Sequence, residues 1–262
     1  MKTKLKLPES ADQVINEYLK LPLGGKEVAC PYHINKRKER VGLRALVGKG
    51  DPGEIVKEVK VWAKLKDFDL FKATSDQIRE FMVDRSIGID CSGFVVHLLG
   101  FILKSEKKKR LWQYMKFPDN SLIGVIRRSF RPIENLGANT LTNLENCIEV
   151  KDINKVLPGD LIRSKGLVKN SHHVIIIYSV LKEGNKVKEI EYVHSRMHYG
   201  NNNGIAFAKI IITDDKLPLE KQKWTEVQDG KNWTLEGFLK DRSDNGIRRF
   251  KSFKINYLTE QI

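Results

Sequence analysis

Cysteine is scarce in this chain, with only Cys30, Cys91 and Cys147 among 262 residues. An odd number at such wide spacing builds neither a disulfide framework nor a Cys-x-x-Cys metal site, so at least one thiol stays free. Long apolar runs are missing as well. The longest, Phe94 to Leu103, contains His97 and is far too short to span a bilayer as a helix, so no transmembrane segment is read. The opening Met1-Lys2-Thr3-Lys4-Leu5-Lys6-Leu7 has the basic start of a secretion signal, but Pro8, Glu9 and Asp12 arrive before an apolar segment can form. With no secretion signal visible, the cytoplasm is the default location. Gly48-Lys49-Gly50 lacks the Gly-x-x-x-x-Gly-Lys-Ser/Thr spacing of a phosphate loop. His172, His173, His194 and His198 come without the His-Glu-x-x-His spacing of a zinc site. No metal and no cofactor is therefore expected. There is no low-complexity linker, and the one internal echo is Trp224-Thr225-Glu226 in Trp233-Thr234-Leu235-Glu236.

Acidic residues are outnumbered, 33 against 47 Lys and Arg, which leaves a formal net charge of +14. Such a surface attracts polyanions, so nucleic acid, anionic wall polymers and acidic membrane surfaces are candidate partners. The basic runs Lys36 to Arg40, Lys107 to Arg110 and Arg127-Arg128-Ser129-Phe130-Arg131 read as solvated faces before phosphate contacts.

Apolar spacing predicts helices over 10–20, with Ser10 as the cap, from Glu54 to about Lys66, and from Thr74 or Ser75 to about Val83. Near Asp160 the period changes to two. Leu157-Pro158-Gly159-Asp160 is a turn feeding a strand, and His172 to Val180 is a β-branched strand turned around by Glu183-Gly184-Asn185-Lys186. The return strand from Lys188 to Met197 holds Tyr192, His194 and Arg196 on one face. Further strands are expected from about Ile205 to Thr213 and over Gly246 to Phe250. Strands joined by tight loops make an antiparallel sheet.

One stretch carries chemistry. In Gly88-Ile89-Asp90-Cys91-Ser92-Gly93-Phe94, Asp90 stands where a helix cap belongs, and Phe94, Val95, Leu98, Leu99 and Ile102 continue at helical spacing. A thiol in the first turn faces unpaired N–H groups and the positive end of the helix dipole, which favour the thiolate and lower its pKa. Taken alone, Cys91 reads first as a small buried residue opening a core helix. Strands bearing histidines downstream change that, because a cysteine hydrolase needs a thiol, an imidazole base and a group that orients the base. Adjacent strand residues point to opposite faces, so only one of His172 and His173 can serve.

Asp90-Cys91-Ser92-Gly93-Phe94-Val95, then Leu157-Pro158-Gly159-Asp160-Leu161-Ile162, then His173-Val174 and its apolar strand, then Tyr192-Val193-His194-Ser195, in that order, resemble the NlpC family of papain-like cysteine peptidases. The match covers 88–102 and 157–213, with a looser likeness in Gly246-Ile247-Arg248-Arg249. The resemblance implies an α+β papain-like domain in which a nucleophile helix packs on an antiparallel sheet. It also implies cleavage of amide bonds in peptidoglycan stem peptides, with Cys91 as nucleophile, His173 as base and His194 as the third polar residue. Family members carry a Pro-Tyr shortly before the nucleophile; here Met82 to Ile87 holds no Tyr. The reading is that Tyr32 of Pro31-Tyr32 takes that place and that 36–86 is a helical insertion beside the cleft. Residues 1–86 are then an extension that contributes to the cleft, and 87–262 the hydrolase domain. Tyr32, Ser92, Asp90 and His172 complete the set of expected substrate- and oxyanion-contacting residues. The expected partner is peptidoglycan or another anionic, peptide-bearing polymer. The competing functions are a Cys-His acyltransferase or amidase on another peptide or lipid, and an inactive basic module that binds an anionic polymer.

Overall fold

Caps decide where the early helices begin. The computed structural model describes residues 1–34, 43–117, 121–165, 172–241 and 243–262, with backbone only at 127 and 128. The basic run Lys36 to Arg40 lies outside the described residues, as do the side chains of Arg127 and Arg128. After β1 (Lys2–Lys6), helix α1 (Glu9–Leu19) starts at Glu9 behind Pro8. Ser10 is therefore inside the first turn, not its cap, and accepts a hydrogen bond from Ser105 Oγ at 3.1 Å. Proline supplies the extended backbone that enters the helix, and Glu9 and Asp12 suit the positive helix end. A small hairpin follows, β2 (Leu21–Leu23) and β3 (Lys26–Val28). Helix α2 (Pro52–Leu65) opens two residues earlier than apolar spacing predicts, because Asp51 and Glu54 form a reciprocal capping box. Thr74 and Gln77 do the same for α3 (Ser75–Asp84).

Helix α4 (Cys91–Ser105) is the centre of the molecule. Phe94, Val95, Leu98, Leu99, Ile102 and Leu103 have no exposed surface, and burial of such a side chain contributes about 1.5–3 kcal/mol. Leu7, Val14, Ile15 and Tyr18 from the N-terminal segment share the same core. Helices α5 (Leu122–Phe130) and α6 (Ala138–Thr142) lead into the strands. No helix among the described residues is long and apolar enough to cross a membrane.

The strands are β4 (Cys147–Glu149), β5 (Leu161–Lys165), β6 (His172–Glu183), β7 (Lys186–Arg196), β8 (Gly204–Ile211), β9 (Lys223–Trp224), β10 (Gly246–Phe250) and β11 (Leu258–Gln261), with α7 (Trp233–Leu239) between β9 and β10. They form one antiparallel sheet in the order β4-β10-β5-β6-β7-β8-β9. β6 is long enough to serve two partners along one edge, with β7 on the other. Its first half pairs with β5 and its second half with β1, which in turn pairs with β11. Alternation along β6 divides the interior in two: Val174, Ile176 and Tyr178 face the layer of α4, whereas Ile175 and Ile177 join Tyr192, Trp224 and Phe238 on the other side. The molecule is thus a mixed α+β structure with both faces of an antiparallel sheet covered. Arg249 of β10 grips Asp160, in the turn before β5, through two hydrogen bonds of 2.7 Å. That contact joins the Leu-Pro-Gly-Asp and Gly-x-Arg-Arg segments.

Candidate active site

Cys91 sits where the α4 layer reaches the end of the sheet. The Asp90 carboxylate accepts the Gly93 N–H at 2.5 Å, which fixes the helix start at Cys91. Two backbone contacts hold the approach: Asp90 N–H donates to Gly48 O at 3.0 Å, and Ile89 N–H to Pro31 O at 3.1 Å. The segment Pro31-Tyr32-His33 therefore lies against Ile89, and Tyr32 lines the same cleft as Cys91. Burial raises the Tyr32 hydroxyl well above its ordinary range, and the neighbouring Cys91 and Asp90 charges add to it.

The imidazoles come from the opposite layer. Ile176 pairs with Val193, so residue 194 of β7 shares a face with 173 and 175 of β6. His173 Nε2 lies 2.7 Å from His194 Nδ1, and His194 Nε2 lies 3.0 Å from Glu226 Oε1. His172 points the other way and contacts Asp244 Oδ2 at 3.0 Å, where Arg163 also binds. Both histidines line the cleft, together with Cys91, Lys165, Arg196, Tyr199 and Trp233.

Glu226 went unread in the sequence. It follows Trp224 in the polar connection after β9, and the only trace it left was the Trp-Thr echo. That echo has a structural counterpart: Thr234 Oγ1 donates to Glu226 Oε2 at 2.6 Å. Tyr192 OH donates to the same oxygen at 3.0 Å, and Arg196 Nη1 to Oε1 at 2.7 Å. Tyr192, His194 and Arg196, expected on one face of their strand, converge on this one carboxylate.

Asp90 and Ser92 do not contact the cleft. Both are turned into a buried cluster in which Lys49 Nζ donates to Asp90 Oδ1 at 3.0 Å and to Ser92 Oγ at 2.5 Å, and Ser92 donates to Asp90. A buried ammonium requires those acceptors, so the two side chains stabilise the helix start instead of meeting substrate. Of residues 30–86, only Tyr32 and Ile34 among those described line the cleft; α2 and α3 pack against the β2–β3 hairpin. The opposite wall is Arg196 to Tyr199 and the start of α7.

The electrostatics reverse one expectation. Burial pushes the Cys91 thiol up to about 12, with the Asp90 charge adding to it. The N–H groups of Val174 and Ser92 and the Lys49 charge act the other way and do not outweigh the lost water. Burial, then neighbouring His194, pulls His173 down to about 3. At neutral pH Cys91 rests as a thiol, not a thiolate, and His173, which lines the same cleft, as a neutral imidazole. Glu226 remains ionised: burial opposes this, but His194, Thr234 and Arg196 hold its carboxyl below the usual range. Among the described residues, no group of three or more His, Cys, Asp or Glu side chains is placed to hold a metal ion. Comparisons with family models, curated proteins and solved structures find no match.

Proposed function

We propose that this protein is a cysteine hydrolase that cleaves an amide bond, built on the papain-like plan of the NlpC family and acting on peptidoglycan stem peptides. The observation that carries the reading is the unbroken line from the cleft inward, His173 to His194 to Glu226, with Cys91 at a helix start in the same cleft. A core cysteine and satisfied core histidines need no such line and no opening to solvent.

The chemistry follows from the neutral pair. The Cys91 thiol attacks the carbonyl carbon as His173 takes its proton, so charge separates only as the C–S bond forms. The developing oxyanion is received by the N–H groups of Cys91 and Ser92 at the end of α4, with Tyr32 beside them. His173 then returns its proton to the leaving amine, and water releases the acyl group by the reverse sequence. Lys165 and Arg196 at the rim favour an anionic peptide, and Trp233 and Tyr199 offer apolar area to its stem. The net charge of +14 strengthens attraction to an anionic polymer.

Incubation with peptidoglycan fragments followed by mass spectrometry tests the reading. The wild type should release stem-peptide products, with loss of about 10³-fold or more in Cys91→Ala. Products that persist in Cys91→Ala, or none in the wild type, reject hydrolysis of this substrate. Ester or amide adducts formed with added acceptors would reassign the same thiol to acyl transfer.

A further inference from the structure

We propose that Glu226 is a positioning residue that fixes the protons on the two imidazoles and thereby leaves Nδ1 of His173 as the base. The proposal rests on the reading of Cys91 and His173 as nucleophile and base. A carboxylate oxygen only accepts hydrogen bonds, so His194 Nε2, 3.0 Å from Glu226 Oε1, carries hydrogen. In the neutral ring, His194 Nδ1 is then a lone pair. It stands 2.7 Å from His173 Nε2, which must donate to it. Hydrogen is thus placed on Nε2 of both rings, and Nδ1 of His173 is the nitrogen left to take the thiol proton.

The same geometry states what happens without the carboxylate. A His194 freed from Glu226 can carry its hydrogen on Nδ1 and donate to His173 Nε2. His173 must then hold its own hydrogen on Nδ1, and no free lone pair is left on its ring to take the thiol proton. Four donors keep Glu226 in register: His194 and Arg196 on Oε1, and Tyr192 and Thr234 on Oε2. Its side chain is 2% exposed, so water does not compete for those positions. When His173 accepts the thiol proton, the positive charge on its ring is compensated through His194 by the Glu226 carboxylate.

Ring ¹⁵N NMR of the full chain at neutral pH, with peaks assigned by single His substitutions, tests this without any substrate. The wild type should show the Nε2–H form for both His173 and His194. Glu226→Gln should move His173 toward Nδ1–H and slow alkylation of Cys91 by iodoacetamide at least tenfold, with Glu226→Asp between the two. An Nδ1–H His173 in the wild type, or unchanged tautomers in Glu226→Gln, overturns the proposal. If Glu226→Gln does not fold, the wild-type spectrum decides alone. Alkylation indifferent to His173→Ala rejects the nucleophile and base reading instead, and the ring spectra still decide the role of Glu226.

Discussion

At the scale of single residues, the sequence exposed the thiol and imidazoles that line or border the cleft and concealed the carboxylate that holds them. Cys91, His173 and His194 stand out because a thiol at a capped helix start and histidines on alternating strands are few and regularly placed. Glu226 is one acid among 33 acidic residues, in a connection with no periodicity. Strand alternation showed that Tyr192, His194 and Arg196 share a face, but alternation gives a direction and not a partner. The state of Cys91 was misread for a related reason: helix-end N–H groups are visible in a sequence, whereas the loss of water around a sulfur depends on every element packed over it. The depressed His173 has a measurable cost. Between about 6.5, the ordinary value of a free imidazole, and about 3, the unfolded chain binds a proton that the folded chain refuses. Stability should therefore fall as pH drops through that window, by on the order of 1 kcal/mol per pH unit from this group. Urea unfolding of His173→Asn against the wild type at several pH values should show a shallower slope in the variant. Equal slopes would place the acid sensitivity elsewhere.

At the scale of elements, the long strands and the capped helices were legible, and the peripheral strands were not. β6, β7 and β8 announce themselves by β-branched alternation. β1 reads as the basic start of a secretion signal because Lys2, Lys4 and Lys6 dominate it, and its partners β6 and β11 lie more than 170 residues away in sequence. Nothing local reports such a pairing. The helix bearing Cys91 also depends on a contact that propensity misjudges. Gly93 lies in the first turn of α4, where alanine ordinarily gains about 1 kcal/mol. Here a Cβ at Gly93 would stand 2.3 Å from the Gly48 carbonyl oxygen, a backbone atom that a rotamer change does not move. Gly93→Ala should accordingly destabilise the protein by about 1–3 kcal/mol and displace Cys91 from the cleft. Thermal melts and Cys91 alkylation check the two effects separately. A melting temperature at or above the wild type would show that the turn yields freely.

At the scale of the whole molecule, the site is assembled from two layers that the sheet keeps apart. The thiol belongs to the core of α4, and the imidazoles and their carboxylate belong to the core under α7. They meet because the start of α4 reaches the cleft that the start of β6 also lines, so the candidate site needs both layers. The two layers are not equally secure. From Ile176 to Glu183, β6 lies between strands on both sides, whereas β9, which delivers Glu226, is a two-residue strand at the sheet edge, paired through Trp224 and Lys223 with Ile210 and Ile211 and continued by Thr225 N–H to Lys209 O at 2.9 Å. Local opening draws on such edges first. In rising urea, the β9 edge should therefore let go while the rest of the sheet holds, so the reactivity of Cys91 through His173 should vanish before the far-ultraviolet circular dichroism changes. Trp224 and Trp233 flank Glu226, and their fluorescence should follow the loss of reactivity. A single shared midpoint for all three signals would mean that the edge is held as firmly as the centre. Loss of Cys91 reactivity is then expected as an event at the margin of the sheet, earlier than unfolding and reversible without refolding the core.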